Sequence, residues 1–73
     1  MQLSDDEARA IDEAARVLRR VAKARGEYAI ELFVRADGRA NFKTHDRIVH
    51  CDLVDGSDDE SPGAALRRLV GRA

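Results

Sequence analysis

Seventy-three residues carry a formal net charge of −1, with 37% charged and only 4% aromatic residues. Balanced charge gives no whole-molecule attraction to nucleic acid or an anionic membrane. No apolar run approaches the ~20 residues of a membrane-spanning helix, and one cysteine excludes an intrachain disulfide. A chain this short fits one domain, which buries only about 60% of the surface its unfolded form exposes.

The start, Met-Gln-Leu-Ser-Asp-Asp-Glu, lacks the basic start and apolar core of a secretion signal. Together with a free thiol it leads to the expectation of a reducing, cytoplasmic location. Ser4 with Glu7 three residues later is a capping box. It opens a helix over residues 5–25, which Gly26 ends. Acidic residues crowd its first turn and basic residues its last turns, as the helix dipole favours. An apolar stripe of Ala8, Ile11, Ala14, Ala15, Leu18, Val21 and Ala22 follows the helical repeat. Arg9, Asp12, Glu13, Arg16, Arg20 and Lys23 oppose it, with ion pairs expected for Asp5–Arg9 and Asp12–Arg16. Ala10, Val17 and Ala24 widen the stripe on one flank, where either the last helix or a partner is expected to dock. At 1.5 Å per residue the helix is roughly 30 Å long, so one end should overhang a short sheet.

Residues 28–54 organise the rest. Period-2 alternation predicts strands over 28–35, 39–44 and 47–54. Asp37-Gly38 marks the first hairpin. A two-residue loop would set Leu32 against Lys43 and mix polar groups into the apolar face. A three-residue loop, Ala36-Asp37-Gly38 with Gly38 left-handed, sets Val34 against Ala40, Leu32 against Phe42, Ile30 against Thr44 and Glu31 against Lys43. An even-length loop around His45-Asp46 then sets Phe42 against Val49, Ala40 against Cys51 and Arg39 against Asp52. Tyr28, Ile30, Leu32, Val34, Ala40, Phe42, Val49, Cys51 and Leu53 share the inner face. Phe33, Asn41, Ile48 and His50 lie outside among charges.

Asp55-Gly-Ser-Asp-Asp-Glu60 reads as a solvated acidic loop. Ser61 as cap and Pro62 at the first helical position start a second helix over residues 62–70, ended by Gly71. Ala65, Leu66, Leu69 and Val70 face inward, and Arg67, Arg68 and Arg72 outward. The expected fold class is α+β: α-β-β-β-α, a three-stranded antiparallel meander with both helices on one face. The expected core is Ile11, Ala15, Leu18, Ala22, Ile30, Leu32, Val34, Phe42, Val49, Cys51, Leu53, Leu66 and Leu69.

No catalytic constellation emerges, and neither enzyme activity nor a cofactor is expected. His45, Asp46, His50, Cys51 and Asp52 are close in sequence, but alternation sends His50 and Cys51 to opposite faces. That denies them one metal ion, whereas a structural zinc site needs four convergent ligands. Asp52, Asp55, Asp58, Asp59 and Glu60 do not match the spacing of a calcium loop. Cys51 points inward, where thiols are inert.

The element order and length resemble those of the double-stranded-RNA-binding domain. That family carries a basic cluster at the start of its last helix, where side chains meet phosphates. The equivalent stretch here, Asp58-Asp59-Glu60-Ser61-Pro62-Gly63-Ala64, is acidic and then small, which argues against RNA binding through this surface. The leading expectation is a small non-catalytic binding module or inhibitor acting by protein–protein contact, similar in size and composition to inhibitors encoded by phages and mobile elements. Its contact residues would be Phe33, Ile48, Asp55, Asp58, Asp59 and Glu60. The alternative is nucleic-acid binding through Arg16, Arg19, Arg20 and Lys23 on the first helix. A homodimer through the outer sheet face or the Val17 flank is compatible with either.

Overall fold

The computed structural model describes residues 1–71, so Arg72 lies outside the described residues. In chain order it contains helix α1 (Asp5–Arg25), strands β1 (Glu31–Val34), β2 (Arg39–Lys43) and β3 (Ile48–Asp52), and helix α2 (Pro62–Val70). The strands form one antiparallel sheet in the order β1-β2-β3. The architecture is therefore α+β, a meander between two helices.

Both ends of α1 are closed as the sequence expects. The Ser4 hydroxyl accepts from the Glu7 backbone N–H at 3.0 Å, and the Glu7 carboxylate accepts from the Ser4 N–H at 2.9 Å. Hydrogen bonding of the Glu7 carboxylate to Ser4, to its backbone N–H foremost and then to its side chain, holds the Glu7 carboxyl below its ordinary pKa. Gly26 takes φ 69°, and Glu27 N–H reaches back to the Ala22 carbonyl at 2.9 Å. That left-handed residue turns the chain toward β1. The exposed ion pairs on α1 differ from those expected: they are Asp6–Arg9 and Glu13–Arg16, three residues apart.

The sheet register is the one that loop length dictates. Glu31 faces Lys43, Leu32 faces Phe42, Phe33 faces Asn41 and Val34 faces Ala40. Across the other ladder, Arg39 faces Asp52, Ala40 faces Cys51, Asn41 faces His50 and Phe42 faces Val49. Gly38 sits at φ 95° and its N–H donates to the Arg35 carbonyl at 3.0 Å. β1 is shorter than expected. Residues 28–30 lie outside it, and Tyr28 is fully exposed rather than on the inner face. β2 ends at Lys43, and the Thr44 N–H donates to the Arg47 carbonyl at 2.9 Å to close the β2–β3 turn, so β2 offers residues 28–30 no ladder partner.

The core is smaller than the apolar pattern suggested. Ala40, Phe42, Cys51 and Ala65 form its centre, with Leu18, Ile30, Val49 and Leu66 packed against them. Val21, Ala22 and Leu69 are also buried. Five residues expected inside are exposed: Ile11, Ala15, Leu32, Val34 and Leu53. Val70, expected on the inner stripe of α2, is exposed too. For Ile11 and Ala15 the cause is axial placement. Along α1 Ala8 is half-buried, residues 9–16 are exposed, Val17 and Leu18 are half-buried, and Val21 and Ala22 are buried, so deep packing is confined to the C-terminal half. The C-terminal ends of the helices are tied by Arg25, whose Nη1 donates to the Leu69 carbonyl at 2.9 Å. Val17, Val21, Leu66 and Val70 line a groove between the helices, so the Val17 flank faces the last helix.

Candidate functional site

Three surfaces carry the residues singled out from the sequence. The first is the outer sheet face. Alternation along β2 buries Ala40 and Phe42 and leaves Arg39 and Lys43 exposed. The register lays three rows across this face: Arg35, Arg39, Asp52; then Phe33, Asn41, His50; then Glu31, Lys43, Ile48. Phe33 is 61% and Ile48 54% exposed, on opposite edge strands. Among the described residues no helix or loop covers them.

The second is the acidic loop, which is anchored to the end of β3 while most of its residues stay exposed. Asp52 is 7% exposed. Its carboxylate accepts from Val54 N–H at 2.8 Å and the Ser57 hydroxyl at 3.2 Å, while its own N–H donates to the Glu60 carbonyl at 2.9 Å. Each carboxylate oxygen thus fixes one point of the turn. Glu60 is held by Arg68, whose Nε and Nη2 lie 2.6 and 2.5 Å from it. Asp55, Asp58 and Asp59 are exposed. This anchoring brings Asp59 to a shallow concavity of about 260 Å³ that it shares with Arg35, Arg39, Asn41 and His50. The loop and the sheet face therefore meet at one rim. Register alone places the two arginines beside the Asn41–His50 pair; the arrival of Asp59 depends on the Asp52-anchored turn and was not expected.

The third surface is the basic face of α1. Arg16, Arg19, Arg20 and Lys23 are all exposed and line one concavity. Among the described residues only Arg16 of these four has an acid within ion-pair reach, Glu13 at 3.4 Å.

A further cluster was missed. Glu27, with a side chain only 2% exposed, accepts from His45 Nδ1 at 2.5 Å and from His45 backbone N–H at 3.3 Å, and lies 3.7 Å from Arg25. The hydrogen bond to Glu27, then its charge, raises the His45 pKa above the ordinary value. The same hydrogen bond lowers that of Glu27. Asp46 accepts from the Thr44 hydroxyl at 2.8 Å, which lowers its pKa. Ligand-type atoms of Glu27, His45 and Asp46 lie within 4.8 Å of one another. Each is engaged by a protein partner, so the cluster acts as a tie between the α1–β1 connection and the β2–β3 turn. The signal was available: extending the register past Thr44 carries residue 45 toward the start of β1.

Cys51 is buried at 2% exposure, and burial, followed by the neighbouring Asp52, pushes its thiol pKa up. His50 points from the opposite face of the same strand. No described helix is long and apolar enough to cross a membrane. Comparisons with protein-family models, with curated proteins and with solved structures find no match to this chain.

Proposed function

We propose that this chain is a small non-catalytic binding module that engages a protein through its outer sheet face. The observation that carries this reading is the exposure of Phe33 and Ile48 on an uncovered sheet face. Around them stand Arg35, Arg39, Lys43 and Glu31, with Asp59 at the rim. Apolar anchors inside a charged rim are what a protein interface uses: the anchors supply burial, and the rim supplies orientation and encounter rate. Cys51, the single thiol, is neutral and enclosed, which supports a non-catalytic role. An inhibitor is one form such a module takes.

The test is quantitative capture with tagged wild type beside the Phe33→Glu/Ile48→Glu double variant, at equal helical signal in circular dichroism. Loss of one stoichiometric species with the variant supports the reading. Identical captured species for both sink it.

A second reading rests on the four cations of α1, three of which have no acidic partner among the described residues. Such a face suits phosphates. It predicts duplex binding that weakens with salt and is lost in Arg16→Glu/Arg20→Glu/Lys23→Glu. Binding that ignores salt would remove this reading.

A further inference from the structure

β1 is an edge strand that nothing guards. All four of its residues are exposed, Leu32 and Val34 on the inner face and Glu31 and Phe33 on the outer, while α2 packs on β2 and β3. The Arg35 N–H donates to the Arg39 carbonyl at 2.8 Å. Antiparallel ladders alternate, so Phe33 and Glu31 also turn their backbone groups toward β2, and Leu32 and Val34 turn theirs outward. Among the described residues no backbone group beyond the ladder bonds to them. Free edges are normally blunted by a proline, a lysine, a bulge or a covering loop. β3 has such a cover at its end, where the Asp52 N–H donates to the Glu60 carbonyl. Between Glu31 and Arg35 there is none.

The residues of β1 define the strand that fits beside it. An antiparallel neighbour is complementary when it sets an acid against Arg35, a base against Glu31 and apolar residues against Leu32, Phe33 and Val34. From its N-terminus, such a strand runs acid, three apolar residues, base. Glu31-Leu-Phe-Val-Arg35 is that sequence. We propose that two copies of this chain join edge to edge through antiparallel β1 strands, about a two-fold axis at Phe33.

In this register the Leu32 N–H donates to the Val34 carbonyl of the second copy, and the Val34 N–H to its Leu32 carbonyl; the axis repeats both bonds. Phe33 meets Phe33 in a close pair on the outer face, and on either side Glu31 meets Arg35. The Arg35 guanidinium, 2.9 Å from Asp37, has donors left for a second carboxylate. Sliding two residues one way sets Phe33 against Glu31. Sliding the other way sets Glu31 against Asp37, acid on acid. The two sheets become one whose outer face stays open, so the contact is compatible with protein binding there. It uses the edge of the sheet and neither its outer face nor the Val17 flank.

The experiment is sedimentation equilibrium of the full chain over a concentration series, with amide hydrogen exchange on the same samples and circular dichroism as the fold control. The expected wild type dimerises, and its Leu32 and Val34 amides gain protection as concentration rises. Val34→Pro leaves Phe33 and Ile48 in place and removes an N–H that the intrachain ladder does not use. It should raise the dissociation constant about thirtyfold, because the axis takes away two inter-strand hydrogen bonds. Glu31→Arg and Arg35→Glu, each alone, should weaken the dimer about tenfold by opposing like charges. Mixed one to one, these two variants should recover wild-type affinity as a heterodimer in which acid again meets base. A wild type that stays monomeric at its highest soluble concentration overturns the proposal. So does a dimer indifferent to Val34→Pro, one whose Leu32 and Val34 amides exchange as in the monomer, or a mixture of the charge variants no tighter than its components.

Discussion

Gly38 is where backbone chirality and packing make the same demand. Its φ of 95° disfavours any L side chain, and a Cβ built there would lie 2.9 Å from Val54 Cγ2. Its carbonyl also accepts from Leu53 N–H at 2.8 Å, so the loop residue fixes the end of the second ladder as well as the first hairpin. Gly38→Ala should therefore cost about 1–3 kcal/mol, read as a lower denaturation midpoint at unchanged slope. An unchanged midpoint would mean that the turn is not confined to this geometry. Cys51 offers a second check at this scale. Because it is 2% exposed and burial keeps it protonated, a thiol-specific disulfide reagent should label it slowly in buffer and completely in denaturant. Rapid labelling of the native chain would contradict the inward register of β3.

At the scale of elements, the Glu27–His45 contact joins the end of α1 to the turn between β2 and β3. Its pH dependence has a definite sign. Folding raises the His45 pKa above 6.5. The native chain then holds a proton that the unfolded chain releases, so this stabilisation is complete below the unfolded value and is lost as pH rises through the folded one. Glu27, lowered from 4.5, works the other way and loses its contribution as pH falls through its folded value. The tie is at full strength between these two limits. Wild type should lose thermal stability relative to His45→Gln as pH rises from about 6 to about 9. His50 is present in both proteins, so the difference between their melting curves reports His45 alone. Parallel curves over that interval would show that the contact does not persist in solution.

For the whole molecule, the fold was legible wherever local rules decided it. The capping box, Gly26, the Ala36-Asp37-Gly38 loop and Ser61-Pro62 each fix an element end or a register. Phe42 opposite Val49 followed from loop length alone. Where α1 sits along the sheet was not legible, because periodicity fixes which face is apolar but not how far a helix slides along its axis. Periodicity therefore makes the stripe core throughout and puts Ile11 and Ala15 inside, although only Val21 and Ala22 of α1 are buried. The candidate surfaces divide in the same way. Phe33 and Ile48 follow from alternation, and the α1 cations from helical spacing. Asp59 beside Arg39 and Glu27 under His45 depend on turns that only long-range contacts define.

That misplacement bears on stability. The fully buried apolar set is Val21, Ala22, Ala40, Phe42, Cys51, Ala65 and Leu69, and three of the seven are alanines. A core so light in a chain this short leaves a small margin against the entropy of ordering it. Pairing of the β1 edges would add to that margin by covering Leu32 and Val34, and association stabilises the native state in proportion to the logarithm of concentration. The melting temperature of wild type should accordingly climb as protein concentration is raised, and so should that of Ile11→Glu, which removes this exposed apolar side chain of α1. That of Val34→Pro should begin to climb only at concentrations about thirtyfold higher. A flat wild-type series would mean that this small core suffices by itself. A rising series that Val34→Pro leaves unshifted would place the stabilising contact away from the β1 edge, with the outer-face pair Phe33 and Ile48 as the next surface to substitute.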